Sequence, residues 1–255
     1  KSLSPTALFR YIECPLKFYF HSIAELEPQE EISDTIDALT FGNILHLTMQ
    51  NLYTKLLNKE NPMADISALR KPKIIGDAVD DTLVELLKVD KKSFSGDTIL
   101  VKDIIVKYIM RGILRYDSLS DGFTIKGLEQ KVLYAYPISD GRSVNLKGIA
   151  DRIDSLDDGN IRVVDYKTGS PHLSMDGIIS LFEGQDRSRY GNILQTMIYS
   201  MVLNHTRQRN VYPALYYARN IGNEDFSPRL IDKGAKDDSG KRKRADNCEV
   251  DYATY

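Results

Sequence analysis

Ile161-Arg162-Val163-Val164-Asp165-Tyr166-Lys167-Thr168-Gly169 is the stretch that decides how this chain is read. Its β-branched run predicts a short strand, and the Thr-Gly pair predicts the turn that ends it. Strand side chains alternate between faces, so Asp165 and Lys167 share one side and Tyr166 takes the other. A carboxylate and an ammonium group are thereby aimed into one pocket; a simple same-face salt bridge is the plain alternative. Fourteen residues before Asp165, Gly148-Ile149-Ala150-Asp151-Arg152-Ile153-Asp154 supplies a second acid on a second β-rich run. Asp157-Asp158-Gly159-Asn160 between them predicts a hairpin turn, so Asp151 and Asp165 should converge at one end of a sheet. Asp154, three residues past Asp151, falls on the opposite face and reads as a turn or salt-bridge residue.

Outward from there, residues 124–136 and 143–154 alternate as two further strands joined at Asp140-Gly141, which makes a three-stranded antiparallel meander. Ile193, Met197, Tyr199, Met201 and Val202 mark a helix, and residues 211–218 a fourth strand. Upstream, Ser4-Pro5 opens a short helix that Pro15 interrupts, and the aromatic run Phe18-Tyr19-Phe20 reads as core. An acidic loop spans 25–35, and a long helix follows, with Phe41, Ile44, Leu45, Thr48 and Leu52 at helical spacing. Two more helices are expected near 75–89 and 98–119. The expectation is one α/β domain over 1–255: a central mixed sheet flanked by helices, a helical insertion at about 60–120 packed on the core, and a C-terminal tail from 220 to 255. That tail holds the basic run Lys241-Arg242-Lys243-Arg244 and a last short strand near 248–252.

The chain has 255 residues and a formal net charge of −2, which does not favour a nucleic-acid partner on bulk charge and leaves room for a local basic patch. No apolar run approaches the ~20 residues that cross a bilayer, and no secretory signal opens the chain, so a cytoplasmic setting is expected. It begins at Lys1, which suggests a piece of a longer protein. Cys14 and Cys248, far apart and outside CxxC spacing, give no disulfide framework and point to a reducing compartment.

The chemistry needs an ion. Asp151 and Asp165, with the backbone carbonyl of Tyr166 and waters or phosphate oxygens, offer the hard oxygen ligands that Mg²⁺ requires. His46, early in the long helix, adds an imidazole that Mn²⁺ accepts more readily. Lys167 can hold the attacking water and stabilise charge growing on a phosphate. Gln195 and Tyr199 are four apart and share a helix face, with Gln195 holding Lys167 or a phosphate and Tyr199 contacting a DNA backbone. Arg187 and Arg189, in the loop before that helix, are positioned to meet phosphates.

Several separated stretches together resemble the PD-(D/E)XK nuclease superfamily, in the branch of the RecB and AddB C-terminal nuclease domains and the related CRISPR-adaptation nucleases. These are Leu3-Ser4-Pro5-Thr6 with Cys14-Pro15-Leu16-Lys17-Phe18, Gly42-x-x-x-His46, Gly148 to Asp154, Asp165-Tyr166-Lys167-Thr168-Gly169, and Gln195-x-x-x-Tyr199. The resemblance runs from about residue 3 to about residue 218. It implies a restriction-endonuclease-like core and metal-dependent cleavage of DNA, with an exonuclease of repair or recombination as the leading expectation and a helicase as a partner. It implies His46, Asp151 and Asp165 as metal ligands, Lys167 as the catalytic lysine, Gln195 and Tyr199 as its support, and an acid at Glu129 on the first core strand. Relatives in this branch often carry an iron–sulfur cluster on four cysteines; two thiols cannot supply four ligands, so no cluster is expected. A catalytically silent DNA-binding or scaffolding module of the same fold is the alternative, as is a CRISPR-adaptation nuclease.

Overall fold

The computed structural model describes residues 2–26, 36–183, 187–207, 209–234 and 248–250. The expected acidic loop lies largely outside these residues, as do the Lys241–Arg244 run and the Cys248 and Arg187 side chains.

A short strand β1 (Ser2–Leu3) leads into α1 (Pro5–Glu13), whose N-cap Ser4 accepts from the Ala7 N–H at 3.1 Å. Cys14 is extended, and α2 (Pro15–Phe18) restarts the helix and runs on as a π turn over Tyr19–Ile23. The long helix α3 (Ala38–Thr54) is capped by Asp37, which accepts from Thr40 N–H at 2.7 Å. Three further helices follow: α4 (Met63–Leu69), α5 (Pro72–Leu87) and α6 (Gly96–Tyr108). A π turn (Ile109–Ile113) joins α6 to α7 (Leu114–Leu119). Next come β2 (Phe123–Pro137), β3 (Ser143–Leu156), β4 (Ile161–Lys167) and β5 (Ser174–Met175). The chain continues through α8 (Gly191–Arg207), β6 (Val211–Tyr217), β7 (Ile231–Asp232) and β8 (Cys248–Glu249).

β2, β3 and β4 form the expected antiparallel meander, and β6 joins β4 in parallel, so the sheet is mixed. The edge of β3 opposite β2 is shared: β1 pairs with Asn145 and Leu146, and β4 pairs with Arg152 to Ser155. Between those pairings that edge of β3 has no partner strand among the described residues, and Gly148 and Asp151 lie in that interval. A second small sheet runs β5-β7-β8.

Helices cover both faces. Val164, Tyr166, Ala214 and Tyr216 enter one core with α3 and the helices of the 60–120 block, which contributes fully buried Ile66, Ile75, Leu83 and Ile113. Ala150, Ile153, Val163, Leu215 and Tyr217 enter a second core with α8, against which Leu8, Phe9 and Ile12 of α1 pack. Strand alternation explains the split, since odd and even positions of β4 go to different layers.

The Phe18-Tyr19-Phe20 run departs from expectation. Tyr19 and Phe20 are 52 % and 44 % exposed, while Phe18 is half-buried against Tyr11 in a T-shaped contact at 5.5 Å. The reason is angular: in a helical turn consecutive side chains diverge by about 100°, so three in a row cannot share one buried face. Apolar identity alone does not bury a residue.

Candidate active site

The site lies where β3 and β4 diverge. Tyr166 organises it through its backbone: its N–H donates to Asp151 Oδ2 at 2.7 Å, and its carbonyl oxygen is 2.9 Å from His46 Nε2. His46 Nδ1 lies 3.3 Å from Asp151 Oδ2. The α3 helix thus delivers His46 onto the middle of β3 and the end of β4. Ligand atoms of His46, Glu129 and Asp151 all lie within 4.8 Å of one another. Two oxygens on opposite sides of a Ca²⁺- or Mg²⁺-sized ion stand about 4–5 Å apart, so the spacing suits a divalent cation.

Glu129, assigned by resemblance alone, is therefore brought directly into the group. The backbone explains how. Glu129 has φ +45°, a left-handed conformation, just past a register shift between Ile125 and Gly127 of β2. Past that shift Leu128 pairs with Arg152 and Gln130 with Ala150, so Glu129 falls opposite Asp151, and opposite residues of an antiparallel pair share a face.

Asp165 sits beside this group and is held differently. It is 1 % exposed; its Oδ2 is 2.7 Å from Lys167 Nζ, and its Oδ1 is buried with no hydrogen-bond partner among the described residues. A buried carboxylate oxygen without a hydrogen-bond partner is a group that a bound cation would satisfy. Burial pushes the Asp165 carboxyl up to about 6; Lys167 works against that rise and the neighbouring Asp151 adds to it. Burial likewise raises Glu129, with the charge of Asp151 adding to it. Burial pulls His46 down, but its hydrogen bond to Asp151 and the charges of Asp151 and Asp165 outweigh this, and the imidazole rises. Lys167 also rises, because Asp165 outweighs the burial of its ammonium group. The pocket is thus crowded with carboxylates, and a cation would relieve their mutual repulsion.

Lys167 Nζ also donates to Gln195 Oε1 at 3.2 Å, and Gln195 Nε2 donates to Tyr199 OH at 3.2 Å. The i,i+4 pair therefore acts in series. Tyr199 is only 5 % exposed, and its hydroxyl accepts from Gln195. Its ring lies on β3 at Gly148: a Cβ there would come 2.2 Å from Tyr199 Cε1. Gly148 is the gap that lets the ring close over the open strand edge. Arg189 is exposed and stacks over the Tyr190 ring, with its guanidinium carbon 5.2 Å from the ring centre. It lines a groove of about 230 Å³ together with Gln195, Asn192 and Phe9.

Asp154 is on the other face, as expected, and accepts from Arg152 and Arg162. The role of the fully buried Arg152 escapes a reading of the sequence, in which it is only one letter of a motif. Its partners Asp117, Tyr166 and Tyr216 are 35, 14 and 64 residues away, beyond the reach of any local pattern. The signal available is its place between two acids on a strand otherwise bound for the core.

Fold and site together give a mixed α/β frame with a cluster of His and acidic residues that could hold a metal ion, as in nucleases, and sequence comparison agrees on the class. The family profile of the PD-(D/E)XK nuclease superfamily matches residues 2–250, and the chain belongs to this family. Among curated relatives, an ATP-dependent helicase/deoxyribonuclease subunit of Carboxydothermus hydrogenoformans is 24 % identical over 249 residues, covering 92 % of this chain and 21 % of the relative. The protein of that name from Clostridium perfringens is 26 % identical over 188 residues, or 69 % of this chain and 16 % of its own length. An uncharacterised protein of Rickettsia bellii is 28 % identical over 194 residues, 71 % and 22 % respectively. The chain thus spans about a fifth of the length of these relatives. No helix among the described residues is long and apolar enough to cross a membrane.

Proposed function

We propose that the chain is a divalent-metal-dependent nuclease domain that hydrolyses DNA phosphodiesters in repair, as an exonuclease fed by a helicase. The observation that carries this reading is the convergence of His46, Glu129 and Asp151 within 4.8 Å, beside an Asp165–Lys167 pair. Those three residues, with Asp165 and the Tyr166 carbonyl, would hold Mg²⁺ or Mn²⁺. The ion's part is to lower the pKa of bound water and to neutralise phosphate charge. Lys167 stays protonated in this setting and offers an ammonium donor to a phosphate oxygen or to the incoming water. Gln195 orients that amine and Tyr199 orients Gln195. Arg189, at the mouth of the adjoining groove, suits a neighbouring phosphate. The helicase partner is suggested by the names of the relatives, which are about five times the length matched here.

The test is incubation of the purified protein with linear single- and double-stranded DNA and Mn²⁺, alongside Lys167→Ala and an EDTA control. Metal-dependent release of nucleotides, reduced at least about 100-fold in Lys167→Ala, is expected. No product from either DNA would leave a silent nuclease-fold module; product unchanged by the substitution would remove Lys167 from the chemistry.

A further inference from the structure

Pairing between β3 and β4 ends at Arg152↔Val164. The ligand-bearing residues Asp151 and Asp165 lie just beyond that last pair, where the ladder no longer holds the two strands to each other. Each strand stays paired on its outer side there, β3 to β2 and β4 to β6, but no ladder spans the gap between β3 and β4, and the candidate metal site is that gap.

Arg152 joins the two strands from the opposite face. Its guanidinium is fully buried and every arm is engaged. Nη1 donates to Asp117 Oδ2 at 2.6 Å and to Tyr166 OH at 3.1 Å. Nη2 donates to Asp117 Oδ1 at 3.1 Å, to Asp154 Oδ2 at 3.0 Å and to Tyr216 OH at 3.3 Å. Nε donates to Asp154 Oδ2 at 3.2 Å. The bond to Tyr166 matters most for geometry, since it crosses from the last paired residue of β3 to a residue two beyond the last pair of β4. Tyr166 is also the residue whose backbone touches both His46 and Asp151. The same cluster reaches α3: Tyr53 OH donates to Asp117 Oδ2 at 2.5 Å, and Tyr53 lies seven residues, about two turns, after His46. One guanidinium therefore ties together the helix and both strands that present His46, Asp151 and Asp165.

We propose that Arg152 and Tyr166 form a positioning clamp that sets the spacing of the metal ligands through the sheet; the inference rests on the metal-dependent reading above. Neither side chain touches the ion. The clamp holds Tyr166 rigid, so that its N–H and carbonyl fix Asp151 and His46 before a cation arrives, which removes a cost of ordering the site on binding.

Two single-atom deletions separate this from a merely structural role. Tyr166→Phe removes the phenolic oxygen that crosses the divide while keeping the backbone carbonyl. Tyr216→Phe removes a hydroxyl that bonds both Arg152 and Asp117 from β6, a strand that carries no ligand. Mn²⁺ binding to the whole chain without DNA is titrated by the electron paramagnetic resonance signal of free Mn²⁺, and thermal melting of the metal-free proteins is recorded in parallel. The expectation is that both variants lose thermal stability, while Tyr166→Phe alone binds Mn²⁺ about tenfold more weakly. Wild-type affinity in Tyr166→Phe, or an equal loss in Tyr216→Phe, overturns the clamp and leaves the nuclease reading intact. Failure of the wild-type protein to bind Mn²⁺ overturns both.

Discussion

Lys167 is shared between Asp165 at 2.7 Å and Gln195 at 3.2 Å, and the balance sets how the site responds to pH. The folded Asp165 carboxyl, pushed up to about 6, lies above its value of about 3.9 in an unfolded chain. The sign follows directly. Protonation favours the folded, metal-free protein, so this stabilisation is complete below about pH 4 and is lost as the pH rises through about 6. A cation needs the ionised form and restores what deprotonation takes away. Mn²⁺ should therefore raise the melting temperature clearly at pH 7.5 and little at pH 5, and EDTA should reverse the gain. Its affinity should fall by up to about tenfold per pH unit below 6 on account of Asp165, which takes up its proton there. Equal metal-induced shifts at the two pH values would refute the role given to Asp165. The pairing of Asp165 with Lys167 is legible in the sequence because period-two alternation is local. The approach of Glu129 is not, because it depends on a bulge between Ile125 and Gly127 that shifts the register and sets Glu129 opposite Asp151, which no side-chain pattern announces.

Among the elements, β3 and α8 are joined through an absence. Tyr199 lies against Gly148 where β3 has no neighbour on that edge, and a backbone hydrogen bond from Ile149 also reaches its hydroxyl. Gly148→Ala places a methyl group 2.2 Å from a ring that is 5 % exposed and has no room to withdraw. The expected cost is about 1–3 kcal/mol of stability by urea unfolding, with kcat falling more than KM rises, because Gln195 loses its anchor and Lys167 its orientation. Tyr199→Phe, which keeps the ring and removes the hydroxyl, should show the kinetic loss with under about 1.5 kcal/mol of destabilisation. If Gly148→Ala and Tyr199→Phe leave kcat at the wild-type value, the Tyr199–Gln195–Lys167 series has no kinetic weight. At this scale the sequence is informative wherever one segment determines itself: the meander, the capped helices and the proline break at Cys14 all follow from neighbours. The exposure of Tyr19 and Phe20 does not, because it depends on what lies opposite a short π turn.

For the molecule as a whole, the question is whether residues 60–120 are an ornament on the nuclease core or part of it. The sequence shows helices there but not their destination, since the residues that receive them lie on strands far along the chain. In the folded protein this block packs on one face of the sheet together with α3, and it supplies Asp117, which shares the neutralisation of Arg152 with Asp154 of β3. Burying a guanidinium is tolerable only with its partners present; removing a member of a buried pair costs up to about 3–5 kcal/mol, and without Asp117 one carboxylate, Asp154, would have to serve both Arg152 and Arg162. Asp117→Asn, which keeps the shape and removes the charge, should thus destabilise the protein by about that amount in urea unfolding. Excision of 60–120, with a short Gly-Ser bridge from Lys59 to Asp121, goes further. It removes the bidentate partner of Arg152 and uncovers the core that Val164, Tyr166, Ala214 and Tyr216 share with these helices. A domain of this size is stable by only about 5–15 kcal/mol, so the excised chain should show no cooperative melting transition by calorimetry and no Mn²⁺ binding. A sharp transition with Mn²⁺ affinity near that of the full chain would instead make the helical block a peripheral insertion and return the whole burden of folding to the sheet and α8.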